Sequence, residues 1–299
     1  MDEIRGLGRH PLKVLVLGGD GMLGHQLLKQ LGPQHDLHVT VRNSLKSYAS
    51  YGLFHAHNTF DDVDVRNQDR LLETMAVFKP DAVINAVGIV KQRAEAKESI
   101  PSLELNSLLP HRLALLCQAI GARLVHVSTD CVFSGRRGVY REDDPSDAED
   151  LYGKSKLLGE VHGHHCITLR TSIIGPELSR KSGLLEWFLA QQGTVYGYQN
   201  AIFSGLTTQE LSRVINWLLT DFPEASGLYH VSSEPISKFA LLDLVRERLG
   251  LQTEVVPQGE FRCDRSLDST LFKTRFGYSP PSWADMIDEM AMNLGERRR

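Results

Sequence analysis

An apolar run that ends in glycines constrains this chain more than any other feature. "LKVLVLGG" from Leu12 is continuously apolar, as a strand buried on both faces of a sheet should be. "MLGHQLLKQLG" follows with the apolar period of a helix that stops at Gly32. Between them lie Gly18, Gly21 and Gly24. Glycines at such a turn allow a sharp bend and let backbone amides approach a pyrophosphate at the positive end of a helix. A glycine triplet alone is common in turns that hold nothing. Its place after a buried strand and at the head of a helix is the context a dinucleotide site requires.

The alternation continues. "LHVTV" at 37–41 reads as a second strand, "FDDVDV" as a short strand, and "QDRLLETMAVF" as a helix closed by Pro80. "DAVINAVG" is a buried strand, and "LELNSLLPHRLALLCQAIG" a long helix interrupted only near Pro110. "ARLVHVSTD" is a strand, "YGKSKLLGEVHGHH" a helix and "CITLRTSIIG" another strand. Strands alternating with helices predict an α/β fold, Rossmann-like, with a doubly wound parallel sheet. Beyond about residue 175 the pattern loosens, which predicts a smaller C-terminal substrate lobe. The expected division is a dinucleotide-binding domain over 1–172, with a return segment over about 204–232 that contains "GLYHVS". Residues 173–203 and 233–299 form the lobe, where Ser237 is placed to cap "SKFALLDLVRERLG".

Bulk properties exclude several classes of function. With 41% hydrophobic and 23% charged residues, the 299-residue chain has the composition of a soluble globular protein. A net charge of −4 gives no reason to expect nucleic acid or an anionic membrane as partner. Cys117, Cys131, Cys166 and Cys263 form no CxxC pair, which fits free thiols in a reducing cytoplasm. "HGHH" at 162–165 sits where a helix runs out, without carboxylates at ligand spacing, so no metal is expected. No signal-like or membrane-spanning apolar run is present, and the expected location is the cytoplasm.

Two further positions speak to chemistry. Arg42 follows the second strand, where a basic residue accommodates a ribose 2′-phosphate and an acidic one bonds the 2′-hydroxyl, so NADPH is expected over NADH. In "DLYGKSKLLGE", Tyr152 precedes Lys156 by one helical turn, which sets a phenol beside an ammonium able to lower its pKa. The spacing recurs by chance in many helices. Here, however, "VSTD" puts Ser128 and Thr129 at the same sheet edge as the glycine loop. A hydroxyl, a phenol and a lysine beside a nicotinamide make a carbonyl-reduction site.

With "VLGGDGMLG", "DVDV", "INAVG", "LNSLLPHRLALLC", "VHVSTDCVFSG", "YREDDP", "YGKSKLLGE" and "LRTSIIG" in order, the chain resembles the extended short-chain dehydrogenase/reductase superfamily. Within it, the chain is similar to the dTDP-4-dehydrorhamnose reductase branch. The resemblance implies that Gly18, Gly21, Met22 and Leu23 cradle the pyrophosphate, with Arg42 near the adenosine ribose. It implies that Asp64 and Val65 contact adenine, that Asn85, Ala86 and Val87 line the nicotinamide side, and that Asn106 supports the active-site strand. Thr129, Tyr152 and Lys156 would be the catalytic set, with Tyr152 and Lys156 also touching cofactor. The substrate would be a dTDP-, UDP- or GDP-linked 4-keto-6-deoxy sugar, and a homodimer is possible.

Departures from the branch fall at positions that would face the sugar. Cys131 stands where the branch has Tyr, Ile173 where it has Trp, and Ile89 and Val90 replace a Tyr-Thr pair, with Lys91 following. Arg262 and Arg265 in "FRCDRSLD" are candidates for a nucleotide phosphate, and Thr207 and Thr208 for closing the lobe. A dehydratase needs a Glu where Cys131 stands, and a thiol is a poor substitute base. A 4-epimerase needs the same Tyr and Lys, and so stays open. So does a non-catalytic role like that of the methionine adenosyltransferase regulatory subunit, which shares the fold.

Overall fold

The computed structural model describes residues 10–90, 98–179 and 181–297. Its centre is a seven-stranded sheet in which every pairing is parallel. The strands are β1 (Lys13–Leu17), β2 (Asp36–Thr40), β3 (Thr59–Phe60), β4 (Ala82–Asn85), β5 (Arg123–Val127), β6 (Cys166–Arg170) and, much later in the chain, β10 (Gly227–His230). Their spatial order is β10-β6-β5-β4-β1-β2-β3. The continuous apolar run of β1 now has its cause. Val14 and Val16 enter the core shared with helix α1 (Gly24–Leu31), while Leu15 and Leu17 enter the opposite core beneath helix α2 (Gln68–Phe78). All four side chains are fully buried.

The expected strand "FDDVDV" shrinks to Thr59–Phe60, because Asp62 turns to a φ of 52° and ends the extended backbone. The long helix is continuous but not uniform. A short helix α3 (Ser99–Ser102) runs through a π segment (Leu103–Leu108) into α4 (Leu109–Ile120), with Pro110 in the first turn of α4. Pro110 has no amide to offer the carbonyl of Asn106. That carbonyl instead faces Gly159 just past helix α5 (Leu151–Leu158), where a Cβ would sit 1.9 Å away. The Tyr helix stops at Leu158, with Gly159 as its C-cap, earlier than its sequence pattern suggests.

The remaining chain adds β7 (Ile173–Ile174), α6 (Leu184–Leu189), β8 (Thr194–Phe203), β9 (Leu206–Thr207) and α7 (Thr208–Asp221) before β10. After β10 come β11 (Ile236–Ser237), α8 (Lys238–Leu249), β12 (Glu254–Asp264), α9 (Thr270–Phe276) and α10 (Trp283–Arg297). β8 lies between β11 and β12 in a second, three-stranded sheet, and β7 pairs with β9. Ser237 does cap α8, accepting from the Ala240 amide at 3.1 Å. One apolar cluster runs from β1 and α1 through α7 to α10, so the late helices share a core with the sheet.

Candidate active site

The strand order reverses direction between β1 and β4, and the crevice at that switch point is where doubly wound sheets bind ligands. Gly18 adopts a φ of 84°, and a Cβ there would come within 3.0 Å of Val87 Cγ2 across the crevice. At Gly24 a Cβ would lie 2.1 Å from the Gly18 carbonyl, so only glycine lets the loop close on the head of α1. Thr40 Oγ1 accepts the Gly18 amide at 3.2 Å and fixes the turn to β2. The cavity at this crevice is lined by Gly18, Gly21, Arg42, Asp64, Val65, Ala86 and Val87 of the expected set. These glycine-cleared walls and the Arg42 guanidinium fit a phosphate-bearing dinucleotide, with Asp20 also on the lining.

Thr40 and Arg66 also line the cavity, and sequence reasoning missed both. Arg66 grips Asp64, with Nε 3.0 and 3.1 Å from the two carboxylate oxygens, and these bonds hold the Asp64 carboxyl below its usual range. Asp64 thus meets the cavity already engaged, and the "DVR" tripeptide was the available signal. Three expected contacts need revision. Leu23 is buried in the apolar core, so only its backbone can serve a phosphate. Met22 reaches across to Gly183. Asn85 is fully buried, with Nδ2 3.2 Å from His126 Nδ1 and Oδ1 accepting the Val87 amide; it supports the cavity wall from behind and does not line it.

Asn106 is buried in the π segment. Its amide accepts from Ile89 N at 2.9 Å and donates to Ile89 O and to Ser155 Oγ, both at 3.1 Å, which ties the loop after β4 to α5. Asp150 caps α5 by accepting the Gly153 amide at 2.8 Å. This cap and the contact at Gly159 fix the helix at both ends.

Thr129 lies beside the Tyr152 phenol, and its hydroxyl donates to Asp130 and accepts the Cys131 amide, both at 3.1 Å. Burial pushes the Tyr152 phenol up, reinforced by Cys131 and Asp130 and only opposed by the neighbouring Thr129 hydroxyl. The expected depression by Lys156 therefore does not dominate. Lys156 is 5% exposed and donates to the Val127 carbonyl at 2.8 Å. Burial lowers its pKa to about 8, against the pull of Glu160. Asp130 is raised by burial and faces Arg265.

The candidates for the sugar side scatter more widely. The Cys131 thiol is pushed up to about 12 by burial, so it is a packed side chain and not a reactive one. Ile173 is half-buried on β7 against the main core. Arg262 lies exposed on β12 opposite Asn200. Arg265 is the arginine that reaches inward, donating from Nε to the Phe133 carbonyl at 2.7 Å. Thr207 and Thr208 are fully buried at the head of α7, where Thr207 caps the helix. Lys91 lies outside the described residues.

A parallel doubly wound sheet whose switch-point crevice carries glycines, with Thr, Tyr and Lys gathered two strands away, defines the short-chain dehydrogenase/reductase class. The particular family follows from comparison with known proteins. A family model described as the RmlD substrate binding domain matches residues 12–295, and the chain belongs to that family. It is 29% identical over 253 residues to the spore coat polysaccharide biosynthesis protein SpsK of Bacillus subtilis, covering 82% of each chain. It is 24% identical to the dTDP-4-dehydrorhamnose reductase of Aggregatibacter actinomycetemcomitans, covering 91% of this chain and 95% of that one. Over half its length it is 29% identical to the Bos taurus methionine adenosyltransferase 2 subunit beta, of which 41% is matched. The fold matches the crystal structure of a Bacillus anthracis dTDP-4-dehydrorhamnose reductase in complex with NADP. The TM-score is 0.78 at 21% identity, over 95% of this chain and 99% of that one. Among the described residues no helix is long and apolar enough to cross a membrane, and no group of three or more potential metal ligands comes together.

Proposed function

We propose that the protein reduces the ketone of a nucleotide-linked 4-keto-6-deoxy sugar at the expense of NADPH. The observation that carries this reading is Thr129 beside the Tyr152 phenol, with Lys156 one turn along the same helix, at the carboxyl edge of the dinucleotide-binding sheet. Bound at the glycine loop, NADPH supplies a hydride. Tyr152 holds the proton that the ketone oxygen takes up, and Thr129 bonds that oxygen and orients the phenol. Lys156 holds the nicotinamide ribose, and its ammonium favours the phenolate left after proton transfer. Gly18 and Gly21 admit the pyrophosphate, and Arg42 meets the 2′-phosphate. Residues 173–203 and 233–299 would form the sugar-nucleotide lobe, with Arg265 the better placed of the two late arginines. Cys131 and Ile173 in place of the branch's Tyr and Trp leave the sugar itself open.

The similarity to the methionine adenosyltransferase subunit, and Lys156 turned to the Val127 carbonyl, favour a second reading as a dinucleotide-binding regulatory subunit. NADPH oxidation by the parent protein separates the two, and Tyr152→Phe tests the proton-donor role. On the reductase reading it lowers turnover roughly 100-fold or more while NADPH affinity holds. Near-normal turnover in this variant refutes the proton-donor role.

A further inference from the structure

The candidate site leaves Arg262 unused, and its surroundings on β12 are of another kind. Helix α8 covers one face of the three-stranded sheet. Val195 and Gly197 are buried on that side, and a Cβ at Gly197 would lie 2.8 Å from Phe239 Cα. The alternate residues of β8 point away from the helix, and Tyr196 is 65% and Tyr198 39% exposed. Phe261 of β12 is 50% exposed and packs its ring against Tyr198, the centroids 5.0 Å apart. Of the four exposed aromatic side chains among the described residues, only Trp187 lies elsewhere, so the three form a patch and not a scatter. Glu260 and Arg262 flank Phe261, and both are exposed. Among the described residues neither side chain has an ion-pair or hydrogen-bond partner.

We infer that this patch is an interface with a second copy of the chain, its two-fold axis passing beside Phe261. A two-fold axis across a strand sets the two copies of that strand antiparallel, so the residue before the axis in one meets the residue after it in the other. Glu260 then faces the partner's Arg262, and Arg262 faces the partner's Glu260. Two side chains that find no partner within the chain thereby form two ion pairs, one on each side of a pair of phenylalanine rings. An occupant of this face has to present an acid and a base at the same spacing around an apolar centre, and the chain itself carries that surface. Tyrosine, phenylalanine and arginine are also the residue types that concentrate at such contacts. β12 is the outer strand of its sheet, but Pro257 and the register shift between Gln258 and Arg262 close its edge to a regular backbone ladder. Side chains therefore make the contact, and a patch this small gives a dimer in exchange with the monomer.

The test is sedimentation velocity of the full chain over a concentration series. It needs neither cofactor nor substrate, so it stands whether or not the reductase reading does. The parent should pass from the 33.5 kDa monomer to a particle of twice that mass as concentration rises. Glu260→Arg and Arg262→Glu each set like charges opposite one another, and each should weaken the dimer roughly tenfold or more. An equimolar mixture of these two variants should recover the affinity of the parent, because each then meets opposite charges on the other. A parent that stays monomeric throughout, single variants that dimerise as the parent does, or a mixture no tighter than its components would overturn the proposal. A monomeric parent whose Phe261→Ala variant binds dTDP or UDP more weakly would also overturn it, and would give the face to a nucleotide.

Discussion

Arg42 and Arg66 show what a single side chain can and cannot announce. Arg42 is exposed at the cavity rim, as its place after β2 suggests, whereas Arg66, also exposed, is paired with a carboxylate two residues earlier. Nothing in the residue type at 66 distinguishes it from a surface charge; the one clue is the Asp64 two places before it in "DVR", which the local turn brings onto the guanidinium. An exposed guanidinium at Arg42 can give a charge-assisted bond to a 2′-phosphate, worth roughly 1.5–3 kcal/mol. Arg42→Asp should therefore lower the NADPH-to-NADH affinity ratio by roughly tenfold or more. Dinucleotide binding followed by fluorescence checks this, and an unchanged ratio would remove Arg42 from the cofactor account. The same limit applies to Tyr152 and Lys156. Their spacing was readable, but the direction of their pKa shifts was not, because burial depends on the whole fold.

Helices and strands were legible where both faces of an element are buried, and poorly legible elsewhere. β1, β4, β5 and β6 read as apolar runs because helices cover both sides of the sheet. β8 alternates exposed and buried positions but places Gly197 and Ala201 on its buried side, and β12 carries Pro257 and Gly259 and is largely exposed, so neither reads as an apolar run. The end of α5 was missed for a different reason. The local signal is Gly159 at the helix end, a position that also has to be glycine because the Asn106 carbonyl packs against it. Gly159→Ala would push a methyl group into that carbonyl, and it should destabilise the protein by about 2–3 kcal/mol in chemical denaturation. Little or no loss would mean that α5 can back away from the π segment. The elements around Arg170 make a second prediction. Burial and the neighbouring Arg170 lower the His230 pKa to about 4, below the unfolded value of about 6.5. A histidine lowered in this way stabilises the fold above pH ~6.5, and the contribution is lost as pH falls toward 4, in total on the order of 3 kcal/mol. Melting temperatures should fall across that window less steeply in His230→Gln than in the parent, and parallel slopes would contradict the assignment.

At the scale of the molecule, the strand order β10-β6-β5-β4-β1-β2-β3 brings the glycine loop, the β4 loop and the head of α5 to one edge, although 134 positions separate Gly18 from Tyr152. That convergence was legible in the order of the motifs, because parallel crossovers have one hand and strand ends collect on one side. The sugar side was not, since it is built from the loosely patterned late chain and from positions where this sequence departs from its branch. The account's central claim is that the Thr129–Tyr152 pair and Lys156 reduce a nucleotide-linked keto sugar. The most direct measurement is loss of NADPH absorbance with purified protein and a panel of dTDP-, UDP- and GDP-linked 4-keto-6-deoxy sugars. The prediction is stoichiometric NADPH oxidation with at least one of them. Tight NADPH binding with no oxidation across the whole panel would contradict it.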